Sequence, residues 1–243
     1  MRDLLYLSES KMQALVPQLP GRIMRRLRLE AGANVGFISF KATLPGQDNQ
    51  QSPVALVNAV VRMIEKHRRV LRRTDPTLAP GDWVRFDEEF RYGDSSDSLK
   101  GYQHDGPIPA LTYFAAAEPP PLVLCGSAAH VLDRRQSHDR GEPDLSGVYY
   151  SNAFRRYVIE VFKSTSENAL GEPMPLAELD MLSFGVSFIC DSAQRERGWS
   201  NPVRLAGHAR VLAIGVDPAG VSSILATPLY VEYSISKSTG ATY

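Results

Sequence analysis

Residues 83–92, Trp-Val-Arg-Phe-Asp-Glu-Glu-Phe-Arg-Tyr, switch between apolar and charged side chains almost residue by residue. A period of two is that of a β-strand with one buried face. It puts Val84, Phe86, Glu88, Phe90 and Tyr92 on one side and Trp83, Arg85, Asp87, Glu89 and Arg91 on the other. Glu88 is the odd member of the apolar face. Desolvation there disfavours a charged carboxyl, which is how general acids and bases are tuned, so Glu88 is the candidate buried carboxylate. The plainer alternative is a bulge near Glu88, or an arginine that meets it.

Outward from this strand the pattern predicts further strands at 4–7, 35–44, 110–118, 122–125, 182–190, 205–216 and 221–234, the last as one long strand or a pair divided near Pro228. In 182–190 the residues Leu182, Phe184, Val186, Phe188 and Cys190 alternate with small ones. Helices are predicted from Ser8, from Gly21, from Ser52 and over 149–162. The clearest has Ser52 as N-cap and Pro53 at its first position. Its buried stripe is Val54, Val57, Val60, Val61, Ile64 and Leu71, and Arg62, Lys66, Arg69 and Arg73 form a basic rail opposite. Polar stretches at 93–108, 134–147, 164–178 and 191–203 read as mobile loops. Strands in both halves without regular βαβ spacing argue for an α+β class. The expectation is one domain over 1–243, with a largely antiparallel, barrel-like sheet and three or four packed helices.

At 243 residues with 43% hydrophobic and 22% charged side chains, the chain is long enough to bury a core and is composed like a soluble globular protein. Its formal net charge is +0, so no global field draws in nucleic acid or an anionic membrane. Residues 1–74 nevertheless hold 13 Lys/Arg against 5 Asp/Glu, and the remainder is acidic in compensation. The basic rail lacks interleaved aromatics and any recognised nucleic-acid motif, so a solvated face is the favoured reading and nucleic-acid contact through this third an alternative. No apolar run approaches a membrane span, and the run at 4–7 is too short for a signal peptide. Cys125 and Cys190 lie in apolar runs, which suits a reducing, cytoplasmic setting.

The most reactive-looking local set is in residues 122–133, Leu-Val-Leu-Cys-Gly-Ser-Ala-Ala-His-Val-Leu-Asp. An apolar strand breaks at Gly126, and Ser127 and His130 fall one helical turn apart, an arrangement that suits binding of a phosphate or carboxylate. The plainer reading is that Ser127 caps a short turn. No G-x-S-x-G elbow, phosphate-binding glycine loop or H-E-x-x-H pair occurs, so neither a metal nor a cofactor is expected. Gly126, Ser127, His130 and Glu88 are therefore the ligand-binding candidates.

The segments LLYLSESKMQALVPQLP, PGDWVRFDEEFRYG and VLCGSAAHVLD resemble an uncharacterised actinobacterial protein family of similar length. The resemblance implies a bacterial cytosolic protein, with signalling or defence as its setting, and no established activity. The resulting expectation is a module that binds a small molecule or a protein partner. The alternative is a hydrolase or transferase with His130 or Glu88 as base.

Overall fold

The computed structural model describes residues 2–25, 53–94, 111–132, 178–195, 199–216 and 220–234. Seven strands form one mixed sheet: β1 (Leu4–Leu7), β2 (Val70–Leu71), β3 (Trp83–Asp94), β4 (Leu111–Ala116), β5 (Leu122–Ser127), β6 (Val203–Val216) and β7 (Ser222–Tyr233). Pairing is antiparallel except for β2 on β3 and β5 on β7. The ladders run β3–β4–β5–β7 and return through β6 to β3, so the hydrogen bonding closes a ring. With α1 (Glu9–Leu15), α2 (Pro53–His67) and α3 (Glu178–Arg195) packed on it, the chain has the α+β class expected.

The period-two reading of β3 holds. Val84, Phe86 and Phe90 join one buried cluster with Leu5, Tyr6, Phe114, Leu122, Leu124, Leu205, Val211 and Ile224, drawn from every strand but β2. Its members come from the inward positions of the ring. Outward positions need a second layer, and the helices supply it. Val186, Ile189, Cys190 and Ala193 of α3 cover Tyr113, Val123, Cys125 and Leu225, while Met12 of α1 and Val57, Val60 and Ile64 of α2 cover Leu7, Trp83, Leu229 and Tyr230.

Three sequence expectations are corrected. Residues 182–190 are not a strand but the middle of α3, whose exposed Ser187, Asp191 and Arg195 recur at the helical step of four. The alternation of large and small residues there coexists with an i, i+3, i+4 stripe, and the stripe wins because the outer face of β4 and β5 has to be covered. Helix α2 ends at His67, so Leu71 leaves the helical stripe and Val70 and Leu71 instead pair in parallel with Trp83 and Val84. The β-branched Val70 suits an extended conformation better than another helical turn. The basic rail is consequently broken: only Arg62 and Lys66 remain on α2. Part of two expected loops is also ordered, since β3 runs to Asp94, and α3 reaches Arg195 while β6 begins at Val203. Strand β7 is continuous through Pro228, which sits opposite a register shift between His208 and Ala209, where a missing N–H is tolerated. The expected strand at 35–44, the helix at 149–162, the loops at 134–147 and 164–177 and most of the segment after Gly21 lie outside the described residues.

Gly207 on β6 is fixed by a close approach. A Cβ at this position would run into the Tyr230 carbonyl oxygen and the Phe86 ring. Gly207→Ala is predicted to cost about 2 kcal/mol in urea unfolding, the scale of overpacking a tight interior. A loss under about 0.5 kcal/mol, typical of neutral surface changes, would contradict this packing.

Candidate functional site

The corner at Gly126 is a local polar cluster filled from within the chain. The hydroxyl of Tyr6, a wholly buried residue, occupies the space that a side chain at Gly126 would need. It also lies 3.3 Å from His130 Nδ1, and the two rings meet edge to face at 5.7 Å. Ser127 caps the single 3-10 turn Ala128–His130, its Oγ accepting from the Ala129 N–H at 3.2 Å. On the other face of the same strands Lys11 donates to Thr227 Oγ1 at 2.6 Å and to the Pro228 carbonyl at 2.8 Å. Its residue is only half-buried, but the ammonium is enclosed, and burial brings it down to about 7. Burial pushes the Cys125 thiol up to about 12 and that of Cys190 likewise to about 12. Both are free and inert as nucleophiles, which require thiolate.

Glu88 meets an arginine. Arg73 Nε stands 2.5 Å from Glu88 Oε2, with the two side chains 10% and 18% exposed. The same guanidinium lies 3.5 Å from Glu118 Oε2 and donates to the carbonyls of Glu118 and Pro120. Arg73 is thus a clamp tying the turn after β2 to β3 and to the β4–β5 connector. Burial raises Glu88 and the guanidinium opposes that shift. Arg69 is likewise engaged, with Asp82 at 3.4 Å and with Thr77. Two of the four residues of the expected rail therefore serve as structural ion pairs.

Sequence reasoning passed over the most elaborate polar arrangement. Arg85 on β3 is directly opposite His208 on β6, and His208 is opposite Tyr230 on β7, so the three form one row on the outer face. Helix α2 lays Glu65 over this row. His208 is 3% exposed, its Nδ1 is 3.0 Å from the Tyr230 hydroxyl, and its Nε2 is 3.3 Å from Glu65 Oε1. The second contact is at ion-pair distance but lacks hydrogen-bond alignment, and Nε2 has no hydrogen-bond partner. Burial brings the imidazole down to about 4, against the upward pull of Glu65 and with Arg85 and Arg2 adding to the fall. Arg2 stacks over the Tyr230 ring at 5.0 Å and pairs with Glu232 at 2.7 Å. The available signal was Glu65 at i+4 from Val61, on the border of the buried stripe of α2.

In front of Glu65 opens a cleft of about 530 Å³, lined by Leu71, Arg72, Thr74, Asp75 and Arg85 besides Glu65 itself. Across the turn that holds Thr74 and Asp75 is a second cleft of about 390 Å³, with Arg73, Pro119, Pro120, Ile214 and Ile224 in its walls. Gly126, Ser127 and His130 line neither of these two clefts, and Glu88 approaches them only through Arg73.

A family model described as a family of unknown function, DUF7019, matches residues 2–234. The chain belongs to DUF7019. No curated protein and no solved structure matches it. Among the described residues of this DUF7019 chain, the cleft before Glu65 brings four charged side chains together, Glu65, Arg72, Asp75 and Arg85.

The clamp and the corner each yield a stability test. Arg73→Met leaves Glu88 buried without its cation and is predicted to cost about 2 kcal/mol at neutral pH, less than a fully buried pair because both side chains retain some solvent contact. Because burial raises Glu88, its protonated form favours the fold, so the deficit of the variant shrinks as pH falls through that carboxyl's folded-state value and is largest above it. A deficit that grows on acidification would contradict the assignment. Gly126→Ala should cost about 2 kcal/mol in the native background and less with Tyr6→Phe, which removes the closest of the contacts although the ring Cζ would still stand 2.8 Å from the new methyl group. Equal costs in the two backgrounds would rule out the Tyr6 hydroxyl as the obstacle.

Proposed function

We propose that this DUF7019 protein is a binding module for a small polar ligand, taken up in the cleft over Glu65, Arg72 and Arg85. The observation that carries the reading is His208, a buried imidazole whose Nε2 stands 3.3 Å behind the cleft-lining carboxylate of Glu65 without a well-aligned hydrogen bond to it. Folding tolerates an unsatisfied buried polar atom at a cost of about 1–3 kcal/mol, so such groups mark places where something other than stability is served. The wall composition agrees. Arg72 makes no ion pair among the described residues, and Arg85 holds Glu65 only loosely, at 3.8 Å with its side chain 67% exposed. Two guanidiniums able to turn toward a guest, beside a carboxylate and a threonine hydroxyl, form a recognition set for a ligand with both acceptor and donor groups. A bacterial, cytoplasmic setting is part of the same reading, supported by the two free buried thiols and by the resemblance noted above. Among the described residues no helix is long and apolar enough to cross a membrane.

Saturation-transfer NMR of the purified protein against a mixture of amino acids, nucleotides and sugar phosphates tests the proposal. At least one compound should bind with contacts at the cleft, and Arg72→Ala combined with Arg85→Ala should weaken it by about a hundredfold, the scale of two charge-assisted hydrogen bonds. Binding that survives the double substitution unchanged would place the site elsewhere.

A further inference from the structure

We propose that the guest of this cleft is a small oxyanion, or a molecule ending in one, and that His208 takes up a proton as it binds. The inference rests on the cleft being the binding site and deepens that reading by naming the ligand class and its coupling. Four charged side chains line the cleft, but they are not equally available. The Asp75 carboxylate is spent on its own turn, accepting from the Thr77 N–H at 2.9 Å and the Thr77 hydroxyl at 2.6 Å. Glu65 is divided between Arg85 in front and His208 behind. The four charges of the cleft cancel, but Arg72 and the loosely held Arg85 leave it with planar donors not matched by free acceptors, which suits a phosphate, sulfate or carboxylate group.

The coupling follows from what faces His208 on each side. Glu65 comes from α2, Arg85 from β3, Tyr230 from β7 and Arg2 from the segment before β1. Glu65 favours the imidazolium, and Arg85, Arg2 and burial oppose it. An oxyanion seated on Arg72 and Arg85 changes two of these influences in the same direction. It offsets the positive field of Arg85 at the ring, and it draws Arg85 off Glu65, leaving that carboxylate to the imidazole. Nε2 then becomes a charged donor to Glu65, and Nδ1–H donates to the Tyr230 oxygen. The proton comes from solvent and no bond to the guest is formed or broken. By linkage, a guest that raises the proton affinity of His208 binds more tightly as pH falls.

Sulfate is the probe, because its charge is constant over the range. Titrated into the full chain and followed by ¹H–¹⁵N spectra between about pH 7.5 and 5.5, sulfate should move the signals of Arg72, Thr74 and Arg85, with its affinity rising by up to about tenfold per pH unit. Calorimetry in two buffers of different ionisation enthalpy should register proton uptake on binding that approaches one proton toward the acid end. Glu65→Gln, which removes the carboxylate that the imidazolium would pair with, should abolish both the pH dependence and the proton uptake of the sulfate binding, whatever it does to the affinity itself. His208→Gln should do the same if it folds, and Glu65→Gln decides the matter if it does not. Sulfate binding at the cleft with no pH dependence and no proton uptake would overturn the coupling and leave the cleft reading standing. Neutral guests that bind there while sulfate does not would overturn the ligand class alone. If neither sulfate nor any of the metabolites binds, both readings fall.

Discussion

The pairing of β6 with β3 along Trp83↔Arg210 to Phe90↔Val203, together with its pairing to β7 over nearly all its length, is the constraint on which the rest depends. Without β6 the other strands form an open sheet, and with it the ladder closes. A closed ladder has an inside lined mostly by apolar side chains and an outside that still needs cover. The inside is filled by phenylalanines, leucines and small residues, and Gly207 is bare because a ring and a carbonyl approach it. The outside is divided between α3 over β4 and β5 and the pair α1 and α2 over β1 and the end of β7.

Where α2 reaches the end of its cover, the outer face carries Arg85, His208 and Tyr230 in register rather than three apolar residues. Burying an imidazolium there would cost several kcal/mol without a matched partner, so the ring is held neutral and its partners are arranged around that state. The Arg73–Glu88 pair is the opposite solution to burial. There both charges are kept, the guanidinium gains two carbonyl acceptors as well, and the result is a rigid clamp. One arrangement stores an unsatisfied atom at the edge of a cleft and the other leaves its guanidinium almost fully used.

Strand β3 was legible in the sequence because one of its faces meets the ring interior along most of its length, so period two survives intact. The long β6 and β7 were legible for the same reason, and the helix beginning at Pro53 and the turn at Ser127 were legible from their local chemistry. Helix α3 was not, because Val186 and Cys190 belong both to the period-two row Leu182, Phe184, Val186, Phe188, Cys190 and to the helical stripe that Ile189 and Ala193 complete, and only the existence of an uncovered sheet face decides between them. Among the site residues, Glu88 and Arg73 were each singled out but for unrelated reasons, since the end of α2 at His67 that brings them together carries no punctuating glycine or proline. His208 stands in Leu-Ala-Gly-His-Ala-Arg-Val, where nothing local distinguishes it from a solvated histidine. Its importance comes from Glu65 and Tyr230, 143 positions earlier and 22 later in the chain, which helix packing and strand pairing respectively place beside it.

The protonation state of His208 is the quantity on which the cleft reading turns. It is read most directly from the side-chain nitrogen shifts of His208 in a long-range ¹H–¹⁵N spectrum of the guest-free protein at neutral pH. The account predicts a neutral ring protonated on Nε2, with Nδ1 accepting from the Tyr230 hydroxyl, that becomes charged only on strong acidification. A ring already charged at neutral pH would contradict it, because Glu65 would then be a settled ion-pair partner and the cleft would hold no unsatisfied group for a ligand to complete.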